Sequence, residues 1–228
     1  MSPVKRARTA TAAALCLALA ACGGGARRAA EPSGTPVVAA LGDSITAGSP
    51  LWDPDPGVRG RLGGGENPES EYEYWAQLAL RGRFVFRNCG VFGERTDQIA
   101  ARLPTCARGA RALVVQGGIN DIAQGRGPAA AAANLDAMVR DGRRRGLRTV
   151  LVEVLPWNNG HPRADAPIRA LNRAIHAIGR RRGVPVLPWY PALEDPSRPG
   201  RMRAELTIDG DHPSVAGYRK LGRLVRIP

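Results

Sequence analysis

Five short apolar runs punctuate the chain, at residues 36–41, 84–88, 112–116, 149–154 and 184–187. Each is continuous in its hydrophobic character rather than alternating, as strands are when both faces of a sheet are covered. Between them lie segments of helical periodicity at 71–81, 96–103, 128–145 and 164–182, and a last one at 214–225. Strands and helices alternating at this spacing predict an α/β fold with an open, doubly wound parallel sheet. In such a sheet ligands bind outside the carboxyl ends of the strands, so candidate chemistry is sought just after each run. One connection does not fit the short-loop pattern. Residues 49–70 are rich in Pro and Gly, which predicts a long structureless loop, either rimming an active site or forming a surface insertion.

The N-terminus has a different pattern. Lys5, Arg6 and Arg8 precede an apolar stretch at 12–21 that is too short to span a bilayer. Basic head and apolar core together predict a secretory leader over residues 1–21. It ends in Leu19-Ala20-Ala21-Cys22, which resembles a bacterial lipobox, in which the cysteine becomes the lipid-bearing first residue of the mature protein. The alternative is a plain cleaved leader with Cys22 incidental. Residues 22–35, rich in Gly, Ala, Pro, Ser and Thr, read as a flexible tether. The expectation is an exported protein that meets the membrane only through an N-terminal lipid, or is secreted or periplasmic. Export leaves Cys89 and Cys106 as an even pair in an oxidising compartment, which predicts a disulfide, the alternative being two buried free thiols. Their spacing does not suit a metal.

Composition adds little. At 228 residues, 43% hydrophobic and 23% charged, the chain suits one globular domain with appendages. The net charge of +13 raises nucleic acid as a partner. However, the arginines are spread along the whole length, and the dense run Arg143-Arg144-Arg145 falls late in a predicted helix, where the dipole favours cations. No nucleic-acid-binding motif accompanies them, and nucleic acid is set aside.

Four positions after predicted strands carry chemistry: Gly42-Asp43-Ser44, Asn88-Cys89-Gly90-Val91-Phe92-Gly93, Gly117-Gly118-Ile119-Asn120-Asp121, and Asp209 with His212 in the loop before the last helix. A serine hydroxyl needs a base to become a nucleophile, and a histidine base needs a carboxylate to fix its tautomer. Ser44, His212 and Asp209 supply all three. Other readings stand beside these. Ser44 also suits a helix cap and Asn120 a turn. Asp43 and Asp121 read as structural hydrogen-bonders of their loops. Asp211 is the competing acid next to His212. His161 and His176 have no partner motif and read as incidental. Trp75 and Trp157 read first as packing, and Trp157 and Trp52 are candidates for the wall of a substrate pocket.

In this order, over residues 36–228, the four blocks resemble the GDSL-type, or SGNH, hydrolase superfamily. The resemblance implies a three-layer α/β/α domain with a five-stranded, flavodoxin-like parallel sheet. It also implies Ser44 as nucleophile and Asp209 and His212 as acid and base, with Asp209 favoured over Asp211 by the family's spacing. The oxyanion donors it implies are the backbone N–H groups of Ser44 and Gly93 and the Asn120 side chain, with no metal or organic cofactor. The implied substrates are small-molecule or glycan esters, the family's range running over acylated carbohydrates, lysophospholipids, thioesters and lipids. The low aromatic content of 5%, with no evident long apolar cleft, favours short acyl or acetyl esters; a monomer is favoured and oligomeric state left open. Glu94-Arg95 departs from the family's second block by shifting Thr96 one place. Two further classes remain in view: an inactive surface lipoprotein that binds carbohydrate or acyl ligands in the same pocket, and a nucleotide or flavin binder. The second is disfavoured because Asp43 stands where a phosphate would sit.

Overall fold

A computed structural model of the chain describes residues 34–62, 67–157 and 163–228. The predicted leader at 1–21, Cys22, the tether as far as residue 33, and His161 lie outside the described residues. Strands β1 (Val37–Gly42), β2 (Val85–Gly90), β3 (Ala112–Val115), β4 (Arg148–Val152) and β5 (Val186–Leu187) form one parallel sheet in the order β2-β1-β3-β4-β5. The register pairs Gly42 with Gly90 and Leu41 with Val115, so the carboxyl ends of the three strands that carry the first three blocks lie side by side. β1 and β3 adjoin where the strand order reverses, the usual ligand site of such a sheet.

Period-two alternation along these strands divides the core in two. Ala39 and Leu41 of β1, Leu113 and Val115 of β3 and Leu151 of β4 face one helical layer. That layer is built by α4 (Thr96–Cys106), α6 (Pro128–Arg144) and α7 (Asp165–Arg182), which contribute Ile99, Leu103, Leu135, Met138, Ile168 and Leu171. Val38, Ala40, Val114, Val150 and Val152 face the other, built by α3 (Tyr72–Ala79), α8 (Trp189–Leu193) and α9 (Val215–Leu224), with Tyr72, Trp189, Tyr218 and Leu221 at its centre. Every residue of β1 is buried, which is why its run is uninterrupted in the sequence.

The predicted structureless segment at 49–70 is corrected by the structure. It contains α2 (Pro56–Leu62) and a 3-10 turn at Pro68–Ser70. Asp55 Oδ1 accepts from the N–H groups of Gly57 and Val58 at 2.7 and 3.3 Å, and Pro56 starts the helix. The Asp-Pro pair is a local start signal that outweighs the Pro/Gly-rich composition. The ends of the segment are tied down: Ser70 Oγ donates to the Gly48 carbonyl at 3.1 Å, and the Tyr218 hydroxyl donates to the Ser49 carbonyl at 3.2 Å. The short helices α1 (Ser44–Ala47), α5 (Ile119–Ala123) and α8 were also absent from the periodicity, being too brief to show one.

Cys89, near the end of the edge strand β2, and Cys106, at the end of α4, are joined in a disulfide with 6.1 Å between their Cα atoms. The bridge closes a loop of 17 residues. Replacing both cysteines by serine is expected to lower the unfolding free energy by about 3 kcal/mol. Urea denaturation of the oxidised protein and the double variant measures the difference.

Candidate active site

Each block is held by backbone geometry before any side chain is considered. β1 stops at Gly42, and Asp43 turns the chain into α1, capping it by accepting the Ile45 N–H at 3.0 Å. This presents Ser44 at the first position of α1. The turn is fixed from β3. Gln116 Oε1 accepts both the Asp43 N–H at 3.0 Å and the Thr46 hydroxyl at 2.9 Å. Close packing here demands glycine: a Cβ on Gly42 would come within 2.3 Å of Gln116 Oε1, and one on Gly90 within 2.0 Å of the Ala47 nitrogen.

The second block is clamped by Arg102 of α4. Its guanidinium donates to the Gly42 carbonyl at 2.9 Å and the Cys89 carbonyl at 2.6 Å, and pairs with the Glu94 carboxylate at 2.6 Å. Glu94, which marks the departure from the family pattern, therefore helps tie the ends of β1 and β2 to α4. Asn88 Oδ1 accepts the Gly90 N–H at 2.8 Å and keeps the strand end tight. The third block docks on the second: the Asn120 side chain donates to the Glu94 carbonyl at 2.9 Å, and Gln124 donates to the Gly93 carbonyl at 3.2 Å. That bond engages one of the two Asn120 amide hydrogens. Asp121 is structural, as read from sequence, accepting the Thr96 N–H at 2.9 Å and hydroxyl at 2.7 Å.

The fourth block closes on the first. His212 Nε2 lies 3.0 Å from Ser44 Oγ, and His212 Nδ1 lies 2.7 Å from Asp209 Oδ2. Asp209 Oδ1 also accepts the backbone N–H groups of Asp211 and His212, at 2.8 and 2.7 Å. Burial pushes the Asp209 carboxyl up, but the hydrogen bond and charge of His212 and these two N–H groups outweigh it and hold it at about 2. An ionised Asp209 can only accept, so Nδ1 carries the hydrogen of the neutral ring and Nε2 keeps its lone pair toward the Ser44 hydroxyl. The arrangement sets a serine hydroxyl within hydrogen-bond reach of an imidazole that a carboxylate orients, the geometry that nucleophilic catalysis by serine requires.

Asp211, the competing acid, points elsewhere: its carboxylate accepts the indole N–H of Trp157. Trp157 in turn lines a cavity with Asp211 itself, Ile45 (the residue after Ser44), Ile119, Val154, Leu155 and Trp189. The enclosed space is small, enough for a group about the size of a water molecule or a methyl. Trp52 is not among the residues lining it and instead packs under the Arg59 guanidinium at 4.5 Å. Trp75 is a packing residue, donating to the Glu69 carbonyl under the Arg219 side chain. His176, without a partner in the sequence pattern, pairs with Glu153 at 2.6 Å on the cavity's far wall. Among the described residues no group of three or more His, Cys, Asp or Glu side chains could hold a metal ion. Sequence reasoning missed Gln116 and Arg102, whose signal lies only in the spatial pairing of strand ends.

Asp43 is fully buried next to the nucleophile. Desolvation raises its pKa from 3.8 to about 6, against the opposing pull of the Ile45 N–H and Gln116. A carboxyl with a raised folded-state pKa binds its proton more tightly when folded, so stability falls as pH rises from about 4 to 6. Asp43→Asn keeps an oxygen for the Ile45 N–H and removes this titration. The stability of the parent relative to the variant is expected to drop by on the order of 2–3 kcal/mol across that window. Thermal unfolding of both proteins at pH 4, 5, 6 and 7 measures it, and a pH-independent difference would contradict the assignment.

The chain matches the GDSL-like lipase/acylhydrolase family over residues 40–220. No curated protein sequence matches it. Among solved structures it is similar to a G-D-S-L family protein from Desulfitobacterium hafniense, with a TM-score of 0.67 and 18% identity over 83% of this chain and 97% of that one. A GDSL-like lipase from Bacteroides thetaiotaomicron aligns with a TM-score of 0.62 and 21% identity, covering 83% and 85% of the two chains. The SGNH-hydrolase family esterase AlinE4 aligns with a TM-score of 0.53 and 20% identity, covering 67% and 75%. At such identities these structures share the fold, the five-stranded parallel sheet flanked by helices. The family match spans all four blocks that converge on Ser44, and the chain belongs to the GDSL-like lipase/acylhydrolase family of hydrolases.

Proposed function

We propose that the protein is a serine esterase that cleaves short acyl esters through an acyl-enzyme. The reading rests on the 3.0 Å contact between Ser44 Oγ and His212 Nε2, backed by Asp209 at 2.7 Å from Nδ1. His212 takes the Ser44 hydroxyl proton as the oxygen attacks the ester carbonyl carbon. Asp209 holds the ring and stabilises its cation without taking the proton. The backbone N–H groups of Ser44 and Gly93 and the free amide hydrogen of Asn120 receive the oxyanion. His212 Nε2 then gives its proton to the departing alkoxide oxygen as the C–O bond breaks, leaving the acyl group on Ser44. Water, deprotonated by the same nitrogen, adds to the acyl carbonyl, and the acid leaves as Ser44 recovers its proton. The small cavity that Ile45, next to Ser44, helps to line supports the choice of acetyl-sized acyl groups.

Export and lipid attachment at Cys22 belong to the same proposal, on the strength of the sequence pattern at 1–22. Cys22→Ser is expected to move the protein from the membrane to the soluble or unprocessed fraction of its host, and an unchanged distribution of mature protein would remove the anchor from the picture.

For the chemistry, a fluorophosphonate probe is expected to label the parent and not Ser44→Ala. Hydrolysis of p-nitrophenyl acetate should fall on the order of 10³–10⁴-fold in Asp209→Asn and 10²–10³-fold in Asn120→Ala. Equal rates for the parent and Ser44→Ala, or an unlabelled parent, would end the esterase reading and favour a ligand-binding role for the same pocket.

A further inference from the structure

Large apolar side chains that stand exposed singly are ordinary on a protein surface, and clusters of them are not. Among the described residues five are exposed: Tyr74, Leu78, Val91, Phe92 and Ile208. Three of the five sit in two of the four loops that build the site. Val91 and Phe92 fall between Gly90 and Gly93, and Ile208 precedes Asp209, its N–H donating to the His212 carbonyl at 3.0 Å. Phe92 stacks on the His212 imidazole, with ring centroids 6.2 Å apart and planes 21° from parallel. Even so, 42% of Phe92 is open to solvent, alongside 38% of Val91 and 45% of Ile208.

Sheet order separates this rim from the cavity. Most of the cavity wall follows β3, β4 and β5, in Ile119, Val154–Trp157 and Trp189, joined by Ile45 after β1 and by Asp211 of the fourth block, whereas Val91 and Phe92 follow β2. Ser44 follows β1, which lies between β2 and β3. Val91 and Phe92 therefore stand on the β2 side of Ser44 and the bulk of the cavity on the β3 side. The chemistry assigns one half of the substrate to each. The acyl group is bonded to the carbon that Ser44 attacks. The alcohol oxygen must come within hydrogen-bond reach of His212 Nε2 to receive its proton. From there the carbon skeleton of the alcohol continues along whatever adjoins the imidazole, and what adjoins it is the ring of Phe92.

We propose that Phe92, with Val91 and Ile208, forms the subsite for the alcohol half of the ester and selects apolar, ring-sized alcohols over small ones. The substrate class is then asymmetric: a short acyl group on a bulky, apolar alcohol. This rests on the acyl-transfer reading above and adds to it which half of the ester carries specificity.

The test compares ethyl acetate with 2-phenylethyl acetate, both as dissolved monomers. They give the same acetyl-enzyme and release alcohols of similar acidity, so the ratio of their kcat/KM values reports contacts to the alcohol alone. The parent is expected to prefer the phenylethyl ester about tenfold or more, the gain from covering part of an aromatic ring. Phe92→Ala should bring that ratio close to one, and Ile208→Asn should lower it severalfold. Leu78→Ala, exposed on α3, should leave it unaltered. A ratio near one in the parent, or a fall in Phe92→Ala that is equal for both esters, overturns the proposal; the second outcome makes Phe92 a support for His212 only. If neither ester is turned over and the probe fails to label Ser44, the esterase reading itself has failed, and the subsite with it.

Discussion

Ser44 and His212 are 168 positions apart in the chain, and their 3.0 Å contact requires four loops to be set to within a fraction of an ångström. That setting is done by hydrogen bonds between side chains and the backbone at the carboxyl end of the sheet. The Gln116 side-chain oxygen fixes the turn that carries Ser44, and the Arg102 guanidinium gathers the Gly42 and Cys89 carbonyls at the ends of β1 and β2 onto α4. Within the fourth block, Thr207 Oγ1 donates to the His212 carbonyl at 2.8 Å and accepts the Gly210 N–H at 2.9 Å, so the loop is closed on itself before it meets Ser44. Gln116 also lines the cavity, and removing it would leave the buried Asp43 N–H without this acceptor, a cost of about 1–3 kcal/mol that keeps the turn unique.

Placing the site on strand ends also explains its electrostatics. Two carboxylates lie close to the reacting atoms and are driven in opposite directions. Asp209, surrounded by donors from its own loop, stays ionised and serves His212. Asp43, buried next to Ser44 with one carboxyl oxygen lacking a hydrogen-bond partner, resists ionisation. The same residue type thus does two jobs, set by hydrogen bonding in one case and burial in the other.

Much of this architecture was legible in the chain because uninterrupted burial leaves uninterrupted apolar runs. β1, β3 and β4 appear in the sequence almost as they stand in the sheet. β5 was expected over four residues and pairs over only two, Val186 and Leu187, because a two-residue ladder has no periodicity to read. The Gly, Ser, Asn, Asp and His residues of the four blocks announced themselves through type and spacing. Gln116 and Arg102 did not, since their partners are carbonyls and amides of distant segments and any residue type can supply those. Asp211 illustrates the same limit. Sequence marks it only as the wrong acid, whereas its place is decided by Trp157, 54 positions earlier.

That indole–carboxylate contact has a wider consequence. One side of Trp157 lines the cavity, and its indole nitrogen reaches Asp211, the residue next to His212. Cavity width and the position of the His212 loop are therefore not independent variables in this protein. A lineage that widened the cavity by shrinking Trp157 would also take an indole N–H away from the Asp211 carboxylate, one residue from His212. Changes at positions 157 and 211 would then be selected as a pair. The shape of the cavity and the seating of the His212 loop are in this sense inherited together, as one trait.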